Sequence, residues 1–410
     1  AEEILRSLTH LKDLKVAGRI SSSQFKGKNA SLQEIGGKLG VKTVLQGSVR
    51  KQGNRVRITT QLINVDDGYH IWSEKYDRTM DDIFAIQDEI ALSVTEALKM
   101  TLLKKDRDLI TKSHTQNHEA YELYLKGRFH IIRRGASIVT GIQHIKKAIE
   151  TDPGFALAYA VHADANLLLA TYGLAPPRQV MPGAKQLAEK AIQLDPTLCE
   201  PYCALGYYYA CYEWNWVEAK KNFLTSIELN PRYAEVNLRY GCNYLTWVEG
   251  KFNEGEKYGE MAIKVEPLHS VCYGTHSLIL HTAGKFKEAL EICKMGIDLD
   301  SNSFLCRLNE GNIYKSLQQY DESISSYEMA LKISNRHHFA VNGLIWSYCE
   351  KENLNEARIL MNELKERSKK EYIAKTFYAI SAACLNDLDE AFEFLDTACE
   401  ERDPVLLAIK

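Results

Sequence analysis

SNSFLCRLNEGNIYKSLQQYDESISSYEMALKIS, residues 301–334, is one period of a pattern that runs through most of the chain. Gly311 and Tyr314 lie in its first half, and Ser323, Tyr327 and Ala330 in its second. Ser323 belongs to a series of small residues at one phase: Ala184, Ala219, Gly255, Ala289, Ser323, Ala357 and Ala391, spaced by 35, 36, 34, 34, 34 and 34 residues. Seven positions later a second small residue recurs, at Ala191, Ser226, Ala262, Gly296, Ala330 and Ala398. Asp152-Pro153, Asp195-Pro196, Asn230-Pro231 and Glu266-Pro267 close several units. Proline cannot continue a helix, because it lacks the N–H donor and clashes with the preceding turn. Small residues let two antiparallel helices approach closely. The spacing therefore predicts helical hairpins stacked into an all-α superhelix, about eight pairs over residues 113–410.

A 34-residue period with small residues near its middle and Pro at its end is similar to the tetratricopeptide repeat. Gly206, Tyr209, Ala219 and Phe223 fit a second unit, and Gly127, Ala148 and Pro153 a looser first one. Tyr172–Val180, with Pro176-Pro177 inside it, reads as an insertion that forms an irregular surface loop.

Ahead of the repeats, residues 1–112 read as a small α+β domain. Ser31–Leu39 predicts a helix, with Ser31 as N-cap and Glu34 completing a capping-box pattern. Val56, Ile58, Thr60 and Leu62 alternate with Arg55, Arg57, Thr59 and Gln61, the mark of a half-buried strand. Lys42–Lys51 is a strand before it, joined through Gln52-Gly53-Asn54, and Tyr69–Asp77 is a strand after Asp66-Asp67-Gly68. Leu14–Arg19 reads as a further short strand. Ile83, Ile86, Ile90, Val94 and Leu98 mark a long amphipathic helix. Gly36-Gly37 and Gly40 are turn glycines, and His70, Trp72, Glu74 and Tyr76 share one strand face as a packed cross-strand ladder.

Val44-Leu45-Gln46-Gly47-Ser48-Val49-Arg50-Lys51, Val56-Arg57-Ile58-Thr59-Thr60-Gln61-Leu62-Ile63 and Ile71-Trp72-Ser73-Glu74-Lys75-Tyr76-Asp77-Arg78 together resemble the TolB-like amino-terminal domain, and Asp82–Ile90 continues the match. Members of that family open on an apolar first strand that is missing here: either that strand was cut off, or the sheet has an unpaired edge. Tyr124-Leu125-Lys126-Gly127-Arg128, Trp214-Asn215-Trp216 and Ile227-Glu228-Leu229-Asn230-Pro231 resemble the repeats that follow such domains in modular bacterial regulators. Glu401-Arg402-Asp403-Pro404 is similar to the family's last repeat. The resemblance implies an upstream effector: a DNA-binding winged helix, a protein kinase or a nucleotide cyclase. Ala1, in helical apolar spacing and without Met or leader, predicts a start inside a helix of a longer protein.

The chain has 410 residues, 45% hydrophobic and 26% charged, with a net charge of −3. It is too apolar for disorder, and its charge gives no bulk positive potential for nucleic acid. Residues 1–112 carry 19 Lys+Arg against 15 Asp+Glu, and the remainder 32 against 39. No run of apolar residues is long enough to span a membrane. All ten cysteines lie between Cys199 and Cys399 in helical-period segments, as buried thiols of a reducing compartment do. This predicts a cytoplasmic location, or a periplasmic one if a membrane helix precedes residue 1. Cys199 with Cys203, and His269 with Cys272 and His276, share helix faces without a full ligand set, so no metal and no cofactor is expected.

The first helix of each unit is expected to line a concave groove. Its spacing places Tyr207, Leu238, Leu278, His281, Asn312, Lys315 and Trp346 there, with Glu200, Cys203, Glu235, Cys242, Leu308 and Asn342 beside them. This mixed set lacks the Lys, Arg and Asn run that clamps a peptide carboxylate. It fits a protein or peptide segment as partner. Tyr207-Tyr208-Tyr209, Tyr212, Trp214 and Trp216 read as packing between repeats, and His337-His338 as surface. No nucleophile, base and oxyanion donors converge, so the reading is a non-enzymatic interaction and sensing region. A freestanding assembly scaffold, or the regulatory half of a cyclase or kinase, is the alternative.

Overall fold

The structure is a computed structural model that describes residues 2–9, 11, 14–79, 83–100, 114–135 and 137–408. The expected boundary at 112/113, and Asp82 of the TolB-like match, lie outside the described residues. The chain divides into two compact units, residues 1–116 with 263–269, and residues 117–262 with 270–410.

The first unit contains α1 (Glu2–Thr9), α2 (Arg19–Ser23), α3 (Leu32–Leu39), β1 (Thr43–Gln52), β2 (Arg55–Asn64), β3 (His70–Thr79) and α4 (Ile83–Ala97). The strands form an antiparallel sheet in the order β1-β2-β3. Gly53 turns the first hairpin at φ +59°, and Gln52 pairs with Arg55 across it. Gly68 turns the second at φ +74°. Ile4, Leu8 and Leu11 pack with Val56, Ile58, Leu62 and Tyr76 of the sheet and Ile86, Ile90 and Val94 of α4. Ser31 caps α3 by accepting from the Glu34 N–H at 3.1 Å, as its sequence predicts.

Three expectations for this unit need correction. Residues 14–18 form no strand, and α2 begins at Arg19. Gly36 and Gly37 sit inside α3, where a Cβ on Gly36 would fall 2.4 Å from Val65; the turn glycine is Gly40, at φ +63°. His70 leaves the face of Trp72, Glu74 and Tyr76, because a bulge at Ile71 sets Trp72 opposite Leu62 but His70 opposite Ile63. The Tyr76 hydroxyl donates to Glu74 Oε2 at 2.9 Å. The Glu266 carboxylate, within the 263–269 segment of this unit, accepts from the Ile20 and Ser21 N–H groups at 3.1 and 2.8 Å.

The second unit is a solenoid of eight antiparallel helical pairs among the described residues. The pairs are α5 (His118–Ile132) with α6 (Ser137–Thr151), α7 (Ala156–Thr171) with α8 (Pro177–Leu194), α9 (Glu200–Tyr208) with α10 (Trp216–Leu229), and α11 (Ala234–Arg239) with α12 (Phe252–Val265). They continue as α13 (Ser270–Thr282) with α14 (Phe286–Leu299), α15 (Phe304–Ser316) with α16 (Tyr320–Ser334), α17 (His338–Glu350) with α18 (Leu354–Arg367), and α19 (Lys375–Cys384) with α20 (Leu388–Glu401). A 3-10 turn, Pro404–Ala408, follows.

The small-residue series has a plain structural meaning. Ala219, Gly255, Ala289, Ser323, Ala357 and Ala391 are each the fourth residue of the second helix of their pair, and all are buried. Glycines on first helices make room for large residues opposite. A Cβ on Gly206 would lie 2.6 Å from the Phe223 ring. The links between pairs use more than Pro: Asp152, Asp195, Asn230 and Asp300 each accept, through Oδ1, the N–H two residues on, at 2.9–3.1 Å. These Asx turns release the chain from one pair and aim it into the next.

The two longer intervals of the series are absorbed as π-helix. In the 35-residue interval α9 runs on as a π segment, Tyr209–Glu213; in the 36-residue interval α11 runs on as Tyr240–Thr246. An inserted residue that keeps its helix is accommodated by widening one turn.

Two expectations about the array's surface also change. The Tyr172–Val180 insertion is irregular over residues 172–176 alone; Pro177 opens α8, so its last four residues are helix. His337 and His338 are not surface residues. His338 is 4% exposed, and its ring meets Gly173, where a Cβ would lie 2.5 Å from Nε2. Tyr172 meets His337 edge-on at 6.4 Å. The winding of the superhelix thus lays the turn of the second pair against the start of α17. The same winding places Leu407 against the core shared by α7 to α11, and the Arg402 guanidinium 3.9 Å from the Trp214 ring centroid.

Candidate functional site

First helices of successive pairs present two side-chain clusters. One gathers His281 of α13, Asn312, Lys315 and Ser316 of α15, and Trp346 and Glu350 of α17. Lys315 Nζ stands 3.1 Å from the Trp346 ring centroid. Trp346 Nε1 donates to Glu350 Oε1 at 3.1 Å. The His281 ring nitrogen Nε2 and Ser316 Oγ are 2.8 Å apart, and the Tyr327 hydroxyl donates to Asn312 Oδ1 at 2.7 Å. Burial pushes the Lys315 ammonium down to about 7, and burial with the Lys315 charge pushes His281 down to about 4. The ring face of Trp346 acts the other way on Lys315, because its quadrupole favours the cation.

The second cluster is ionic. Arg239 of α11 donates from Nε to Glu235 Oε1 at 3.0 Å and from Nη2 to Asp164 of α7. Arg134, on the turn between α5 and α6 at φ +60°, donates from Nη2 to Glu235 Oε2 at 3.3 Å. The Arg239 guanidinium lies 5.0 Å from the Tyr207 ring centroid, and the Tyr207 and Thr171 hydroxyls are 2.7 Å apart. Burial opposes the Arg239 charge, and Asp164 and Glu235 more than offset it, holding its pKa well above the usual range.

Of the residues placed in the groove by spacing, His281, Asn312, Lys315 and Trp346 come together. Tyr207 and Leu238 are 3% and 4% exposed, so they pack between repeats and do not face an open groove. Cys203, Cys242, Leu308 and Asn342 are buried likewise, and Leu278 is half-buried one turn before His281. The physical reason is the tightness of the winding, which encloses first-helix positions that a shallower array would expose. Spacing had named Glu235 but missed Arg134, Asp164 and Arg239. Arg239 did carry a signal, a charge on the apolar stretch Val236–Leu245.

Away from these clusters, a cleft of about 450 Å³ is lined by Leu331, Leu344, Tyr348 and Leu360 together with Glu328 and Arg336. Cys199, Cys203 and Cys272 are buried, and among the described residues no three His, Cys, Asp or Glu side chains gather as metal ligands. No helix among the described residues is long and apolar enough to cross a membrane.

Comparison with known proteins agrees with this fold. The tetratricopeptide repeat family model matches residues 306–337. A solved structure, the APC/C hetero-tetramer Cut9-Hcn1, superposes over 80% of this chain and 61% of that one with a TM-score of 0.51 at 15% identity, a likeness of fold alone. A Rhizobium meliloti (strain 1021) protein named "Putative adenylate cyclase 3" is 36% identical over 160 residues, 39% of this chain and 27% of that protein. Anaphase-promoting complex subunit 3 of Schizosaccharomyces pombe is 25% identical over 174 residues, 42% of this chain and 26% of that protein. The chain therefore spans about a quarter of the length of these curated relatives. Its second unit is defined by fold as a tetratricopeptide-repeat array, a class of protein-interaction scaffold.

Proposed function

We infer that the chain is the non-enzymatic interaction and sensing region of a bacterial signalling or transcriptional regulator. Its repeats take hold of a protein segment through their inner face, and its first unit is a TolB-like domain. The observation that carries this reading is the cluster of His281, Lys315 and Trp346, drawn from three separate pairs onto one face. A half-buried indole beside a cation, with no catalytic constellation around it among the described residues, suits recognition better than turnover. The partial match to the Rhizobium meliloti protein favours a regulator of the cyclase-linked kind. In such a protein the array would pass its occupancy to an upstream effector, would touch neither nucleic acid nor membrane itself, and would work in the cytoplasm.

The test is capture of partners from host lysate by the full chain and by its Trp346→Ala and Met295→Ala variants. Met295 is 50% exposed on a second helix, away from the cluster. A partner lost with Trp346→Ala and kept with Met295→Ala supports the reading. Capture indifferent to Trp346 would turn the assignment toward an assembly scaffold.

A further inference from the structure

Second helices of interior pairs present one line of side chains to the pair that follows. The eighth residue of such a helix is Phe223 in α10, Cys293 in α14, Tyr327 in α16 and Met361 in α18, and none is more than 3% exposed. The first helix of the next pair covers this line. The Phe223 ring meets that of Tyr240 at 5.7 Å, the Cys293 thiol donates to the Cys306 carbonyl at 2.9 Å, and a Cβ on Gly343 would lie 2.3 Å from the Tyr327 ring.

The last second helix among the described residues, α20, keeps that line without the cover. Leu395 is its eighth residue and is half-buried. Leu388 is 55% exposed, Phe392 63%, and Cys399 is exposed as well. Leu388, Phe392, Leu395 and Cys399 are spaced i, i+4, i+7 and i+11, so they form one apolar stripe. The outer face of a terminal repeat is ordinarily polar, because no neighbour buries it.

A second stripe runs beside the first. Asp389, Glu393, Asp396 and Glu400 follow the same spacing one residue on, and all four are exposed. No Lys or Arg pairs with their carboxylates among the described residues, and α20 itself contains neither residue type. The other two carboxylates of the helix are engaged from within the array, Glu390 by Lys365 and Glu401 by the Tyr372 hydroxyl. Arg178 donates to the Glu400 backbone carbonyl and leaves its carboxylate open.

The two stripes specify the occupant. The interior counterparts of the apolar line each receive a helix, so the same line on α20 has the shape to receive one. The four open carboxylates make the complementary flank of that helix basic. A second copy of this chain is disfavoured, because it would bring a second acidic stripe to the contact.

We propose that this face of α20 docks a basic amphipathic helix of a partner protein, with the partner's apolar residues on the Leu388–Phe392–Cys399 stripe and its Lys or Arg side chains paired with the acidic stripe. The surface lies on a second helix, whereas His281, Lys315 and Trp346 lie on first helices, so it goes beyond the inner-face reading and does not rest on it.

The experiment uses the full chain and three capped, fluorescent, helix-forming peptides. One carries leucines at the same spacing flanked by lysines, one the same leucines flanked by glutamates, and one is a scramble of the first without the stripe. Anisotropy titrations are run at low and at high salt. The lysine peptide is expected to bind at least about tenfold tighter than either other and to weaken as salt rises. Phe392→Ser should weaken it at least about tenfold. Asp389→Asn combined with Glu393→Gln and Asp396→Asn should abolish its preference over the glutamate peptide. These positions are exposed, so circular dichroism of the variants should match that of the parent. Val217→Ser, at a residue 79% exposed on α10, should change nothing. Equal binding of the glutamate peptide or the scramble overturns the proposal, and so does an absence of binding by the lysine peptide. Equal losses with Val217→Ser and Phe392→Ser overturn it too. A chain that sediments as a dimer and becomes monomeric with Phe392→Ser overturns it in favour of a second copy.

Discussion

Arg134 Nη2 donates to Glu235 Oε2 at 3.3 Å across 101 positions of sequence. The bond joins the turn of the first helical pair to the first helix of the fourth. In a straight stack these elements would lie far apart, because each repeat touches its neighbours alone. Their meeting measures how tightly the array winds, and it makes the ionic network a brace between distant pairs.

That brace is open to a stability test. Glu235→Gln takes away the anion that Arg134 and Arg239 share. Breaking one partner out of a fully buried pair costs about 3–5 kcal/mol; with the Glu235 side chain 20% exposed, a loss of about 2–3 kcal/mol is expected. Urea unfolding followed by far-ultraviolet circular dichroism measures it. An unchanged midpoint would mean that the network braces nothing.

Tyr327 is held between two glycines. A Cβ on Gly311 would lie 2.6 Å from its ring and one on Gly343 2.3 Å. Gly343→Ala is therefore expected to destabilise by about 1–3 kcal/mol through overpacking. Combining it with Tyr327→Leu should recover part of that loss, because the smaller side chain vacates the contested space. Strict additivity of the two changes in denaturation midpoint would contradict this packing.

His337 links stability to pH. Burial holds its imidazole down to about 4, among Tyr172, Phe304, His338 and Phe339, with the Arg367 charge acting in the same direction. The unfolded chain protonates it near 6.5 and the folded one near 4, so the unfolded state binds more protons in that window. Its contribution is fully present above the unfolded value and is lost as pH falls from 6.5 towards 4. His337→Phe should flatten the decline by about 1–2 kcal/mol between those limits, read from thermal midpoints of both proteins across the range. Parallel profiles would assign the acid sensitivity to other groups, His338 first among them.

Lys315 and Trp346 should report on each other. Loss of the ammonium proton removes a cation 3.1 Å from the indole, which changes its emission. With burial pulling the group towards 7 and the ring pulling back, the emission of the full chain should titrate between about 7 and the ordinary lysine value near 10.4. Lys315→Met should abolish that step while leaving the other four tryptophans as background. A step that persists in the Met variant would place its origin elsewhere.

The amino-acid sequence by itself determined whatever depends on neighbours in the chain. The recurrence of Ala219, Gly255, Ala289 and Ser323 fixed the helical pairs, because a close helix–helix crossing demands a small residue at one phase. The alternation along Arg55–Asn64 and the Gln52-Gly53-Asn54 turn fixed the hairpin. Even the π segments were present as intervals of 35 and 36 residues in place of 34. The tertiary structure alone decided which distant residues meet. Arg239 reaches Asp164 across 75 positions, Arg134 reaches Glu235 across 101, and Tyr172 lies against His337. These contacts depend on superhelical curvature, which is the sum of small rotations at every repeat interface. An error of a few degrees per repeat, invisible in the period, would part Arg134 from Glu235 and turn Tyr207 and Leu238 back towards solvent.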